Sequence, residues 1–255
     1  MKRPRVIPCL LLSNGNMVKT KKFKNPDYLG DPINAVRIFN EKGVDELCIQ
    51  DIGIAKAGGN IDFSLLSDIA SEAFMPLCYG GGIRSLHEAE ALFRIGFEKV
   101  MLNTALAENP SLVTDIAKRF GVQSVVASID AVQSMLGQST IAVCGGTKRM
   151  AITPKAMALR AEQLGAGEIL LNSIQRDGMQ NGYNIELIKE VASALNIPLI
   201  ACGGAGKLSD FAEALHHGNA HAVAAGSLFV YYGPLQAVLI HTPDEEELRM
   251  AGVYQ

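Results

Sequence analysis

The chain has 255 residues, 48% of them hydrophobic and 19% charged, with a formal net charge of −3. Such a composition builds a packed core rather than a disordered chain. With no basic stripe interleaved with aromatics, nucleic acid is not an expected partner. No apolar run approaches the ~20 residues of a membrane helix, and MKRPRVIPCLLLSNG lacks a cleavable-signal pattern. A cytoplasmic chain without a membrane partner is therefore expected. The five cysteines (9, 48, 78, 144 and 202) are odd in number and contain no CxxC pair, which fits reduced thiols. The histidines form no HxxxH or HxH set, so neither a metal nor a cofactor is expected.

In chain order, short apolar runs alternate with helical patterns. Strands are expected at 5–12, 46–51, 75–80, 98–103, 123–130, 167–173, 197–202 and 221–226. Helices are expected near 31–42, 61–73, 85–95, 109–120, 153–165, 184–196, 207–217 and 231–241. The strands are nearly continuous apolar runs, as in EILLNSI, which predicts a parallel sheet buried on both faces. Asn109-Pro110 and Thr153-Pro154 have the form of an N-cap followed by proline in the first turn. Eight βα units in this length give a single α/β domain over 1–255, a (β/α)8 TIM barrel. The rival doubly wound sheet would call for a GxGxxG after the first strand, and none is there.

A shift of 122 residues lays PLCYGGGIRSL (76–86) on PLIACGGAGKL (198–208), and it also pairs Gly43 with Gly165, Glu46 with Glu168 and Gly96 with Gly218. One ungapped offset across several units indicates duplicated half-barrels. The barrel's working face lies at the C-terminal ends of its strands. There GGGI (80–83) and NTA (103–105) follow strands 3 and 4, and GGAG (203–206) and AGS (225–227) follow strands 7 and 8. Glycine turns let backbone N–H groups approach an anion. Two such cradles facing each other predict a ligand with a phosphate at each end. The basic cluster KTKKFK (19–24) is either a solvated loop or one that attracts anions.

Asp130 ends strand 5 and Asp177 follows strand 6. A carboxylate in a partly desolvated cup is a natural general acid or base, with a helix cap or loop ion pair as the bland alternative, as also for Asp51. Laying RVIPCLLLSNG (5–15) on QSVVASIDAV (123–132), Val6 over Val125, sets Leu11 opposite Asp130. At the other end of the barrel, Arg5, Glu46, Lys99 and Glu168 each open a strand, and composition alone reads them as an ion-pair network.

These stretches, with VDELCIQDI, YGGGIRS, GAGEILLNSIQRDG and ACGGAGKL, resemble the cyclase subunit of imidazole glycerol phosphate synthase over essentially the whole chain. The resemblance implies a half-barrel-duplicated (β/α)8 barrel that binds a bisphosphate ribonucleotide. It also implies a glutaminase (class I amidotransferase) subunit on the N-terminal barrel face, sending ammonia through the barrel. By this resemblance Asp130 is catalytic. Lys19, Gly82, Asn103, Thr104, Asp177, Gly178, Gly204, Ala225 and Gly226 contact the phosphorylated ligand. Arg5, Glu46, Lys99 and Glu168 become an ammonia gate.

The departures lie at the reacting centre. Leu11 stands where the family has its second catalytic Asp; Cys144, Asn172 and Cys202 stand where hydroxyls are usual; Gln175 stands where an acid is usual. The opening through VKTKKFKNP and GDPINAV resembles a branch associated with acetamidino modification of surface-polysaccharide sugars, which works with its own glutaminase and a sugar amidotransferase. The expected function is therefore an ammonia-using barrel of that branch. The alternatives are a histidine-pathway cyclase, a non-catalytic tunnel or scaffold, and a sugar-phosphate isomerase of the sister barrel family.

Overall fold

The computed structural model describes residues 3–134 and 137–254, without the side chains of 55–57. Eight parallel strands form the barrel: β1 (Arg5–Ser13), β2 (Leu47–Asp51), β3 (Leu77–Gly80), β4 (Lys99–Leu102), β5 (Val125–Gln133), β6 (Glu168–Ser173), β7 (Leu199–Cys202) and β8 (Ala222–Ala225). Neighbours in sequence pair in space, β8 pairs with β1, and β5 pairs with β6, so the sheet is closed. Helices α1 (Pro32–Glu41), α2 (Phe63–Ser71), α3 (Leu86–Ile95), α4 (Ser111–Phe120), α5 (Pro154–Leu164), α6 (Ile185–Ala192), α7 (Leu208–His216) and α8 (Glu245–Met250) follow the strands in turn. The architecture is the (β/α)8 barrel expected from the strand pattern. No helix among the described residues is long and apolar enough to cross a membrane.

Alternation along the strands divides the core in two. On β1, Val6, Leu10 and Leu12 join the layer between barrel and helices, while Ile7 and Cys9 join the barrel interior. That interior also holds Val126 of β5, so Ile7 and Val126 correspond, and by the same spacing so do Leu11 and Asp130. The rest is thiols, Met101, Leu170, Ile200 and two alanines.

Local signals set the helix ends. Ser85 and Glu88 form a capping box at α3, with the Glu88 N–H donating to Ser85 Oγ and the Ser85 N–H donating to Glu88 Oε2. Thr153 caps α5 as expected, accepting from the Ala156 N–H, and the helix stops at Gly165 with φ +100°. At α4 the expected Asn109 cap is absent. Pro110 occupies the cap position, and Asn109 Oδ1 accepts from the Ser111 hydroxyl instead.

The expected helix at 231–241 does not form. Tyr231–Tyr232 pairs with Ala237–Val238 as a small hairpin, because Gly233 (φ +71°) and Pro234 break a helix at its start. Helical structure flanks it, at Ser227–Val230 and in α8. A second hairpin, Asn16–Lys21 with Lys24–Gly30, extends antiparallel from β1. Its turn at Lys22 and Phe23 has φ +53° and +62°. The lysine cluster is thus split: Lys19 and Thr20 are buried, and Lys21, Lys22 and Lys24 are exposed.

Phe211 of α7 is fully buried and packs its ring on Phe229 at 6.1 Å and Tyr183 at 6.4 Å. Truncation there leaves a cavity that the closed barrel cannot collapse. Phe211→Ala is expected to cost about 3–5 kcal/mol, seen as a lower urea midpoint at unchanged slope. A midpoint equal to the wild type's would show that this cluster is not a rigid part of the core.

Candidate functional site

The C-terminal ends of the strands surround a cavity of about 590 Å³. Its wall includes Asp130, Leu11, Lys19, Gly82, Asn103, Thr104, Asn172 and Asp177. Leu11 faces the mouth because it continues the inward row of Ile7 and Cys9.

Asp130 is 8% exposed. Asn103 Nδ2 donates to its Oδ2 at 3.2 Å, and the Asn172 amide hydrogen-bonds it from β6, where Asn172 is its register partner. Its pKa is pushed up to about 7, first by burial and then by the Asp177 charge, while the Asn172 hydrogen bond pulls it back. Among the described residues, no cation forms an ion pair with it. Lys19 Nζ reaches Asp177 Oδ1 at 3.4 Å, and the Thr20 hydroxyl donates to Asp177 Oδ2 at 3.3 Å. Asp51 resolves to a cap: its Oδ1 accepts from the Gly53 and Ile54 N–H groups at the start of Ile52–Ala57.

The two cradles differ. Gly82 (φ +70°), Asn103 and Thr104 line the cavity, and a Cβ on Gly82 would meet Ile54 Cγ2 at 2.3 Å. The Thr104 hydroxyl accepts from the Cys144 N–H at 3.0 Å, which fixes the rim. Gly178, Gly204, Ala225 and Gly226 are not in the cavity wall. Gly178 lies under the hairpin, with the Thr20 carbonyl 2.3 Å from where its Cβ would be. Gly204 packs on the Gly182 carbonyl, and Ala225 belongs to the layer beneath the helices. Gly226 carries the end of Lys19, whose Cε is 3.1 Å from a Cβ built there. The structure therefore presents one open cradle and one covered by the β1 hairpin, where the repeat predicted two alike. Gln175 is turned to the surface, donating to the Gln133 carbonyl.

At the opposite end, Arg5, Glu46, Lys99 and Glu168 do come together. Arg5 reaches Glu46 and Glu168, each at 2.5 Å, and Lys99 reaches the same two acids at 2.8 and 2.9 Å. Each cation thus bridges both acids. Burial lowers the Lys99 and Arg5 pKa values, but the two carboxylates more than offset it and hold both cations charged. Burial raises the pKa of Glu46 despite Lys99 and Arg5.

Between the ends lies a feature the cysteine spacing could not reveal. Cys9, Cys48, Cys78 and Cys202 all point into the barrel, and their thiols hydrogen-bond in a chain, Cys202 to Cys9 to Cys48 to Cys78. Strand parity was the signal that would have found them. Among the described residues, no group of three His, Cys, Asp or Glu side chains is placed to hold a metal ion.

A closed eight-stranded parallel barrel with glycine turns and the buried acids Asp130 and Asp177 at its mouth defines a (β/α)8 barrel protein. The chain belongs to the histidine biosynthesis protein family, whose model matches residues 5–236. A Pseudomonas aeruginosa relative, provisionally named imidazole glycerol phosphate synthase subunit hisF2, is 49% identical over 97% of this chain and 99% of its own. A Leptospira interrogans relative provisionally named as the HisF subunit is 44% identical over 97% and 98%. The imidazole glycerol phosphate synthase subunit HisF of Alkaliphilus metalliredigens is 40% identical over 89% and 90%.

The raised Asp130 pKa has a consequence for stability. The folded state holds its proton up to about pH 7, while the unfolded chain releases it near pH 4. Stability from this group is complete below about pH 4 and is lost as pH rises to about 7. Asp130→Asn, which does not titrate, is therefore expected to match the wild type near pH 4 and to exceed it by up to about 4 kcal/mol above pH 7. Urea unfolding of both proteins across that range measures the difference. Parallel curves would show that Asp130 titrates normally.

Proposed function

We propose that this chain is an ammonia-using barrel subunit of the imidazole glycerol phosphate synthase cyclase type. A glutaminase docked on its N-terminal face supplies the ammonia, and the complex serves acetamidino modification of a surface-polysaccharide sugar together with a sugar amidotransferase. The observation that carries this reading is Leu11 in the cavity wall with Asp130. The cyclase reading needs two acids at these matched positions, and leucine neither gives nor takes a proton. The closed ring of Arg5, Glu46, Lys99 and Glu168 supports retained ammonia entry. The names of the relatives support the cyclase type and its being one subunit of several.

In this reading Asp130 is the proton-carrying group. Gly82, Asn103 and Thr104 hold an anionic end of the ligand in the open cradle, and Lys19 and Asp177 sit on the far side, over Gly226. Gly178, Gly204 and Ala225 meet the ligand only if the hairpin lifts. A genuine histidine-pathway cyclase is the second reading, favoured by the family itself.

Two measurements separate the readings. Turnover of the bisphosphate ribonucleotide with saturating ammonium salt needs no partner. The wild type is expected to fall roughly 10²–10⁴-fold below Leu11→Asp, the usual worth of one acid–base group. Equal rates would remove the broken-pair argument. In the organism, deleting the gene is expected to leave growth without histidine intact and to strip acetamidino groups from the surface polysaccharide, read by mass spectrometry. Histidine auxotrophy with an unchanged polysaccharide would establish the second reading instead.

A further inference from the structure

The hairpin that replaces the expected helix at 231–241 turns its apolar side chains outward. Leu235 at its tip is 93% exposed, and Tyr232, Val238 and Leu239 are each more than half exposed. The hairpin is not a loose end. Gln236 Nε2 donates to Gln180 Oε1 at 2.9 Å, the Leu239 and His241 N–H groups donate to the Val230 and Phe229 carbonyls, and the Tyr232 ring meets His241 edge-on at 5.3 Å. An apolar patch held toward water on a pinned element marks a contact surface. The patch continues toward the mouth. Gln180 belongs to the same 176–180 loop whose Asp177 carbonyl accepts from the Lys22 N–H at 2.9 Å, so both hairpins are fastened to one loop. Burial and then the Asp27 charge raise the Tyr231 pKa, which sets the two hairpins side by side. On the β1 hairpin Lys21, Lys22 and Lys24 are exposed and, among the described residues, make no ion pair.

We propose that the hairpin at 231–238 and the lysine tip of the β1 hairpin together dock the enzyme that receives the ammonia, a protein whose contact face is apolar at its centre and acidic at its rim. This rests on the reading of the chain as an ammonia-using barrel working with a sugar amidotransferase. Charge complementarity selects the partner: an apolar centre bordered by unpaired lysines matches an apolar face bordered by carboxylates. Three lysines on a chain of net charge −3 suit short-range pairs with such a rim better than attraction to an anionic bilayer. In the same reading the glutaminase covers the N-terminal face, so ammonia emerges at the opposite face, beside this patch. In water near neutral pH ammonia takes a proton and is no longer a nucleophile, so its receiver must sit against the mouth. The surface also bears on the covered cradle. Lys19, Thr20 and the Lys22 N–H tie the β1 hairpin to Asp177, over Gly178 and Gly226, so a partner seated here presses on the segment that hides those glycines.

The test measures binding of the sugar amidotransferase to the purified barrel chain by sedimentation velocity. The expected result is a one-to-one complex whose Kd rises about tenfold or more in Leu235→Glu, and rises also when Lys21, Lys22 and Lys24 are all changed to Glu. The wild-type affinity falls with added salt, and the triple-lysine variant loses that dependence. Phe74→Asp changes a side chain nearly as bare, 90% exposed, between α2 and β3 at the N-terminal face, and it binds as the wild type does. The changed residues are exposed, so each variant keeps the wild-type urea midpoint. An unchanged Kd in Leu235→Glu, or no complex at all, would overturn the docking site. So would a concentration-dependent dimer of this chain that Leu235→Glu abolishes, which assigns the patch to a second copy. Co-sedimentation of the chain with vesicles of equal parts phosphatidylcholine and phosphatidylglycerol, lost in the same variant, would assign it to a lipid surface instead. The polysaccharide of the deletion strain is read independently of these outcomes, so the docking site and the functional reading fail separately.

Discussion

The two-residue alternation of a closed parallel barrel is the constraint on which the rest of this molecule depends. Each strand is buried on both faces, so a slip of one residue would exchange the inner and outer sets on that strand. The outer set is large and branched and fills the space under the helices; the inner set is thiols, alanines and a few longer side chains. Neither set fits the other's place. Register is therefore fixed, and with it the inner row of β1, which begins at Arg5 and ends at Leu11. Leu11 is six residue steps along the strand from Arg5, roughly 20 Å. The ring at one end and the cavity at the other are two ends of the same rows.

Those ends are electrostatic opposites. In the ring, two cations and two acids are interleaved so that every charge meets two of opposite sign. A buried network of this kind adds little net stability over an apolar plug of equal volume, because desolvation offsets the attraction. At the mouth Lys19 is committed to Asp177, and the Arg84 guanidinium donates to the Gly59 carbonyl. Asp130 is left with amides for neighbours, and its charge is compensated only by hydrogen bonds. Between the two lies an uncharged interior of four thiols, two alanines and the larger side chains of Ile7, Met101, Val126, Leu170 and Ile200.

The barrel was legible because strands sealed on both faces are nearly continuous apolar runs with polar residues mainly at their ends, as in EILLNSI and AVAAGS. The hairpin at 16–30 was not legible, because its strands are half exposed and lysine-rich, and their partner is the extension of β1 rather than a core strand. Residues 231–241 misled through their apolar content, although Gly233 and Pro234 carried the contrary signal. In the site, Asp130 and the glycine turns followed from their place at strand ends. The covering of the second cradle could not be read, since Lys19 and Thr20 reach Gly226 and Gly178 from a segment more than 150 residues away in the chain. A duplication predicts equal halves; only tertiary packing makes them unequal.

Leu11 does more than subtract an acid. Two carboxylates facing one another across a mouth raise each other's pKa and draw in water to relieve the repulsion. Leucine does neither, and its side chain removes polar surface from the cavity that Asp130 shares. Burial is the leading cause of the Asp130 shift, so an apolar neighbour acts in the same direction as the shift itself. A pair able to take and give protons at once becomes a single acid poised near neutrality, able to exist in either form but in only one at a time. Chemistry that moves one proton, as in the attack of ammonia on a carbonyl-like carbon and departure of a hydroxyl, suits such a group better than a ring closure requiring two. Under the proposed reading, the leucine that stands in place of a second acid leaves the mouth with a single group suited to one-proton chemistry.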